Sequence, residues 1–106
     1  MVQYVGLRTR LKPGSEQAYI EAHDNIWPEV RDNLRRVGVR RYLIFQDGLD
    51  LFHAIECSDW DAAVQELAED PVDQRWQAAM AELTQTSADL SGKGKDRLEL
   101  IFQFEV

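Results

Sequence analysis

The sequence predicts one α+β domain, in which a four-stranded antiparallel sheet carries its helices on one face. Apolar residues alternate at a period of two in several segments of the chain, the pattern of half-buried strands. Other stretches have the start and stop residues of helices. The length of 106 residues suits one small domain and leaves no room for a second.

The first strand is indicated by Val5, Leu7 and Leu11, which alternate with arginines. A proline–glycine pair then breaks the strand, and Ser15 begins a helical stretch. Pro28 disfavours helical geometry in the residue before it and suits the first turn of a new helix. We therefore expect a break over residues 24–27.

The helix that follows this break is predicted from Pro28 to about Val37, because Gly38 is a stop signal. Residues 39–46 and 50–57 are strand-like runs joined by Asp-Gly-Leu at 47–49. Asp-Gly between apolar runs is a strong hairpin signal.

The second half of the chain begins with a helix cap at 58–61, which leads into a helix over 62–69. Pro71 restarts the helix, and its apolar residues keep helical spacing as far as Leu83. Residues 84–96, rich in Ser, Thr, Gly and Lys, are predicted to be a long mobile loop. A last alternating strand is predicted from Leu98, Leu100, Phe102, Phe104 and Val106.

The resulting order is strand, helix, strand, strand, helix, strand, which is the split βαβ arrangement of ferredoxin-like domains. Helices on one face leave the other face of the sheet open. That second face is predicted to carry Ile44, Phe52, Ala54 and Ile101 and to need a cover. A homodimer of the dimeric α/β barrel type, with sheet packed against sheet, is the simplest way to cover it.

Composition narrows the classes of function. The net charge of −7 disfavours nucleic acid, whose phosphates need a basic face. No apolar run approaches the ~18 residues that span a membrane, and the first residues do not look like a signal peptide. Cys57 is the single cysteine, so no intrachain disulfide can form. We expect a cytoplasmic protein in which Cys57 is a small buried hydrophobe.

No cofactor or metal site is indicated by the motifs. The chain lacks a glycine-rich phosphate loop, a Gly-x-Ser-x-Gly elbow and a His-Glu-x-x-His helix. Its two histidines and one cysteine are not at the spacing of zinc ligands. The carboxylates are numerous enough to leave a metal site open, but no motif points to one.

An aromatic set surrounds His23. Tyr19 lies one helical turn before it, and Trp27 follows the helix break. Histidine can give or take a proton near neutrality, and Tyr and Trp rings stack on sugars. Spacing alone slightly favours a packed helix end, with Tyr19 and Trp27 turned inward and His23 bonded to the backbone. His53, in mid-strand, is interpreted as a core or interface histidine, and Trp76 fits either core or pocket rim.

The chain resembles the L-rhamnose mutarotase family. The resemblance rests on Tyr19-x-x-x-His23-x-x-Ile-Trp-Pro-Glu, on Tyr42-x-Ile-Phe in the second strand, and on Asp-Gln-Arg-Trp ending at Trp76. These motifs lie in order between Tyr19 and Trp76, and the likeness runs from the first strand to the last, so it covers a single domain over residues 1–106. The His-x-x-Ile-Trp-Pro-Glu string is its specific part.

The resemblance implies a small ferredoxin-like homodimer that interconverts the α and β anomers of L-rhamnose, or a related 6-deoxy sugar, without a cofactor. It implies that His23 is the catalytic proton donor and that Tyr19, Tyr42 and Trp76 bind the sugar. Gln77 stands where family members commonly have a second tryptophan. That departure bears on the choice of sugar.

Three alternatives stay open on the sequence. L-fucose is a second candidate sugar for the same isomerase. The dimeric ferredoxin-like scaffold also suits a cofactor-free oxygenase, because a fold does not determine a function. A non-catalytic sugar-binding module is the third possibility.

Overall fold

The computed structural model describes residues 2–85 and 97–106, in which a four-stranded antiparallel sheet packs against four helices. The strands are β1 Gln3–Arg10, β2 Val39–Asp47, β3 Asp50–Cys57 and β4 Arg97–Leu98. The helices are α1 Glu16–Asp24, α2 Pro28–Arg36, α3 Trp60–Ala68 and α4 Pro71–Ala81. The strand order is β2-β3-β1-β4, with every pair antiparallel. The predicted α+β fold class is confirmed.

The break between α1 and α2 follows from Pro28. Trp27, directly before it, has the extended ψ of 134° that a following proline favours, and Pro28 occupies the first turn of α2. α2 ends at Arg36, and Gly38, two residues beyond it, has a φ of +92°. A side chain there would be strained and would also meet the hydroxyl of Ser58.

Aspartates cap the two later helices. The Asp59 carboxylate accepts from the Ala62 N–H at 3.1 Å. Asp70 accepts from the N–H groups of Val72 and Asp73 at 2.9 and 3.0 Å. Asn33 of α2 also donates to Asp70, at 2.9 Å. These bonds hold α4 beside α2 and so determine where the side chains of α4 lie.

One face of the sheet is buried under the helices. Trp60 packs α3 onto this face with only 1% of its surface exposed, and Cys57 is buried beside it, as predicted. The main core cluster consists of Val5, Leu7, Val37, Ile55, Cys57, Trp60, Ala63 and Leu67. A smaller cluster contains Leu11, Tyr19 and Leu51. The described residues contain no helix long and apolar enough to cross a membrane.

The opposite face of the sheet is open, as predicted, but two assignments to it, Ile44 and Ile101, were wrong. Ile44 pairs with His53, and since His53 points to the helix side, Ile44 does too. Leu43 and Phe45 alternate with Ile44 and are the exposed large apolar residues of β2, at 44% and 59%. The prediction failed because two adjacent apolar residues leave the phase of a strand undetermined.

The predicted last strand is also corrected. β4 is only Arg97–Leu98, which pairs with Leu7 and Gly6 of β1. Residues 99–106 form no strand, and Ile101, assigned to the open face, lies in this segment with 89% of its surface exposed. Alternation predicts an extended segment but does not supply a neighbouring strand for its backbone.

The predicted loop over 84–96 falls largely outside the described residues, which include only its first two positions. Thr84 forms a bridge with Leu11, and Gln85 donates from its backbone N–H to the Arg10 carbonyl at 2.9 Å. These two residues therefore extend the edge of the structure next to β1.

Candidate active site

A cavity of about 800 Å³ lies between the covered face of the sheet and the helices. This volume falls within the range of ~300–1,000 Å³ that is typical of small-molecule sites. All four residues predicted for the site line it: Tyr19 and His23 from α1, Tyr42 from β2 and Trp76 from α4. The fold therefore brings together side chains that are distant in the sequence.

His23 has a defined tautomer. Its Nδ1 lies 2.9 Å from the backbone carbonyl oxygen of Tyr19. A carbonyl oxygen can only accept, so Nδ1 carries a hydrogen and donates it. This leaves Nε2 as the ring nitrogen that can exchange a proton with a molecule in the cavity. The backbone bond that the core interpretation of His23 required is therefore present.

Aromatic rings surround His23. The Tyr19 ring lies 4.3 Å from the His23 ring, centroid to centroid, at 36°, and Trp76 presents its ring at 5.3 Å and 77°. Trp27 packs edge-on against Trp76 at 5.2 Å and is not among the residues lining the cavity. Trp76 therefore belongs to the wall, and Trp27 supports it from behind.

His53 links two strands by hydrogen bonds inside the cavity. Its Nδ1 lies 2.9 Å from the Tyr42 hydroxyl oxygen, and its Nε2 lies 2.9 Å from Thr9 Oγ1. His53 lines the cavity and is a satisfied buried histidine, with 8% of its surface exposed. Sequence reasoning left it out of the site. The hairpin register contains the signal, because Tyr42 pairs with Ile55 and is thus a diagonal neighbour of His53.

Asp73 is a second residue that sequence reasoning left out of the site. Among the described residues that line the cavity it is the one acid, and only 7% of its surface is exposed. Burial raises the pKa of its carboxyl, a hydrogen bond from Gln77 opposes this rise, and nearby Asp70 adds to it. Its position three residues before Trp76, on the same helix face, was the available signal.

The two tyrosines are neutral hydrogen-bonding groups at neutral pH. Burial raises the pKa of Tyr19 to about 12. The pKa of Tyr42 is also raised, mainly by burial and further by the proximity of Tyr19 and Asp73. The part of the chain that the structure describes contains no group of three or more His, Cys, Asp or Glu residues arranged to hold a metal.

Burial lowers the pKa of His53 to about 4, from an ordinary 6.5, and the proximity of His23 contributes. As pH falls from about 6.5 to about 4, the unfolded chain takes up this proton before the folded chain does, so folding stability decreases. Below about pH 4 both states are protonated and the loss is complete.

We expect this single group to remove on the order of 2 kcal/mol of unfolding free energy between about pH 7 and about pH 4.5. Urea unfolding of the wild type and of His53→Asn at both pH values measures it, since the carboxylates that also titrate are common to both chains. An equal pH dependence in the two chains would contradict the assignment.

The comparisons with known proteins agree with one another. Residues 4–104 match the family model of L-rhamnose mutarotase. An L-rhamnose mutarotase of Burkholderia orbicola (strain MC0-3) is 38% identical, over 98% of this chain and 100% of its own length. One from Mesorhizobium japonicum is 35% identical over 84% of this chain and 86% of its own. The crystal structure of an L-rhamnose mutarotase from Formosa agariphila superposes with a TM-score of 0.80 at 30% identity, covering 97% of this chain and 99% of that one.

Proposed function

Because this chain belongs to the L-rhamnose mutarotase family, we propose that it is a sugar mutarotase, an isomerase that interconverts the α and β anomers of L-rhamnose or a related 6-deoxy sugar. The observation that carries this proposal is the hydrogen bonding of the His23 ring and its position at the cavity wall. Its Nδ1–H is held by the Tyr19 carbonyl, and its Nε2 is left for a molecule in a cavity lined by aromatic rings.

Mutarotation opens and recloses a cyclic hemiacetal. One group protonates the ring oxygen while another removes the proton of the anomeric hydroxyl, and the bond between the anomeric carbon and the ring oxygen breaks. The free aldehyde turns and is attacked on its other face, with both proton transfers reversed. The reaction therefore needs an acid, a base and positioning.

His23 supplies the acid in this proposal: with both ring nitrogens protonated, it donates the Nε2 proton to the ring oxygen, becomes the neutral ring that keeps its hydrogen on Nδ1, and takes the proton back on reclosure. Asp73 supplies the base, because it is the one carboxyl among the described cavity-lining residues. Its burial suits that role, since a raised pKa makes the carboxylate a stronger base. A phenolate is a poor alternative, because burial raises the pKa of both Tyr19 and Tyr42.

Tyr19, Tyr42 and Trp76 hold the sugar in this proposal. The two hydroxyl groups can bond to sugar hydroxyls, and the Trp76 ring can pack against the apolar face of the pyranose. The proposed reaction calls for no cofactor, because acid and base side chains supply both proton transfers.

Trp76→Leu is expected to raise the KM for the sugar about 10-fold, since an aromatic contact contributes about 0.5–1.5 kcal/mol beyond area burial and 1.4 kcal/mol corresponds to a factor of ten. The pH profile of kcat should not move. Leucine keeps apolar packing against Trp27, and Trp76→Phe is the matched control that keeps a ring. An unchanged KM in Trp76→Leu would assign Trp76 to packing alone.

The test of the function is magnetisation-exchange NMR on equilibrated L-rhamnose and L-fucose. Faster exchange between anomer signals with the protein present supports a mutarotase, and the ratio of the two rates identifies the preferred sugar. Sugar binding without faster exchange would instead support a binding module. The absence of both, on a panel of deoxy aldoses, would favour another enzyme on this scaffold.

We propose that the working form is a homodimer and that it is cytoplasmic. The open sheet face exposes Leu43 and Phe45, and residues 99–106 expose further large apolar side chains, an unusual amount for a monomer. The reduced, buried Cys57 fits a reducing compartment. Light scattering tests the dimer: we expect twice the 12.3 kDa chain mass, and Phe45→Glu should lower it. A monomeric wild type would refute the dimer.

A further inference from the structure

We propose that His53 is a positioning residue for this reaction, which acts through its Nδ1 to hold the Tyr42 hydroxyl group at the sugar. This inference rests on the proposed function and deepens it. It assigns a role to a buried polar group that acid–base chemistry at His23 and Asp73 leaves unused.

Geometry fixes the His53 ring on both sides. Thr9 of β1 bonds to Nε2 and Tyr42 of β2 bonds to Nδ1, each at 2.9 Å, so three adjacent strands hold one imidazole. The Tyr42 ring meets it edge-on at 5.7 Å and 83°. The Tyr42 hydroxyl is thus anchored to a ring that cannot turn without breaking one of two hydrogen bonds.

The hydrogen bond between His53 and Tyr42 can run in either direction. A neutral imidazole has one donor and one acceptor nitrogen, whereas the Thr9 and Tyr42 hydroxyls can each do either. In one arrangement Tyr42 donates to Nδ1 and offers a lone pair to the cavity. In the other, Nδ1–H donates to Tyr42, and the Tyr42 O–H is free to donate. His53 therefore allows Tyr42 to act as either a donor or an acceptor.

Mutarotation can use a contact of this kind. The anomeric oxygen is a hydroxyl in the ring form and a carbonyl in the open form, and the ring oxygen changes in the opposite sense. A hydrogen bond that the anomeric hydroxyl donates must reverse its direction when the ring opens, because a carbonyl oxygen can only accept. A Tyr42 hydroxyl backed by His53 can reverse without leaving its position, which preserves the alignment on which rate depends.

Two conservative variants separate the ring nitrogens. Asparagine places a polar atom near the position of Nδ1, and glutamine places one near Nε2. We expect His53→Asn to keep kcat within about 3-fold of the wild type, and His53→Gln to lower it about 10-fold or more with little change in KM. If His53 serves only to satisfy and stabilise the core, the two variants will have equal activity in their folded fractions.

Tyr42→Phe should lower kcat as much as His53→Gln does, and the double variant should be no worse than Tyr42→Phe alone, because His53 acts through Tyr42. Additive losses, or equal kcat values in His53→Asn and His53→Gln, would overturn the role of His53 while the wild type still catalyses exchange. A wild type that catalyses no exchange would overturn the proposed function itself, and this inference with it.

A measurement on the wild type covers the case in which the variants unfold. Nitrogen-15 NMR of the imidazoles, with and without saturating L-rhamnose, reports both nitrogens of His53. We expect the sugar to shift the Nδ1 signal and to shift the Nε2 signal in the opposite direction, because the two nitrogens of a neutral imidazole exchange donor and acceptor roles together. An Nδ1 signal that does not respond to bound sugar would contradict the proposal.

Discussion

Replacing His23 by asparagine is expected to lower catalysed anomer exchange by about 10²–10⁴-fold, the usual contribution of a positioned general acid. Asparagine can place an N–H near the position of Nδ1 and so keep the bond to the Tyr19 carbonyl, which is 2.9 Å long in the wild type. What it removes is Nε2, the nitrogen that the cavity can use. The exchange rate is measured by NMR as the excess over spontaneous mutarotation in the same buffer.

The control for this variant is to show that its fold and stability are unchanged. Urea unfolding and tryptophan fluorescence should be close to those of the wild type, because the Trp76 ring beside His23 keeps its contact with Trp27. A folded His23→Asn chain with wild-type exchange would remove His23 from the chemistry and return it to the role of a helix-end core residue.

Asp73→Asn is expected to lower kcat by about 10²–10³-fold, since it removes the proposed base while preserving shape and the capacity to hydrogen-bond. The free energy of unfolding should fall only slightly. Burial raises the pKa of this carboxyl, which means that the folded state favours the neutral form of the group. The comparison of kcat with KM is informative here, because a lost base affects the chemical step and leaves sugar binding nearly intact.

The matched control for Asp73 is Asp61→Asn. Asp61 is also an acid in the first turn of a helix, α3, but it is exposed and does not line the cavity. Both variants lose a favourable charge near a helix N-terminus, a contribution of about 0.3–1 kcal/mol. Only Asp73→Asn should lose activity. A wild-type kcat in Asp73→Asn would leave the base unassigned.

The cavity shows how closely the site and the core are joined. Tyr19 belongs to the core cluster with Leu11 and Leu51, and it also lines the cavity and accepts the hydrogen bond from His23. Because one residue does all three, changes to Tyr19 are expected to affect stability and activity together. His23, Asp73 and His53 are therefore the better positions for separating the two.

The local elements could be predicted from the sequence because their causes are local. Pro28 acts on its own neighbour, so the break between α1 and α2 follows from one residue. The predicted bounds of β3 are those observed, because Asp-Gly-Leu at 47–49 sets both the turn and the register. The proximity of Tyr19 and His23 follows from helical spacing alone.

The resemblance to a known family identified site residues that the spacing of residues could not identify. Tyr42 and Trp76 have nothing in their own surroundings that marks them as site residues, and Trp76 fitted core and pocket equally well. Their match to a family pattern assigned them to the sugar, and the structure places both on the wall of the cavity that His23 lines. Their roles as sugar contacts remain predictions.

Only the tertiary structure decided the rest, because hydrogen bonding and burial in a sheet depend on neighbours that are distant in the chain. His53 is 44 residues from Thr9 and 11 from Tyr42, so its two bonds exist only once β1, β2 and β3 are aligned. The burial of Asp73 depends on how α4 docks. The same cause explains the wrong predictions. The alternation of residues 99–106 does not show whether another strand lies beside them. The face on which Ile44 lies became clear only from its pairing with His53.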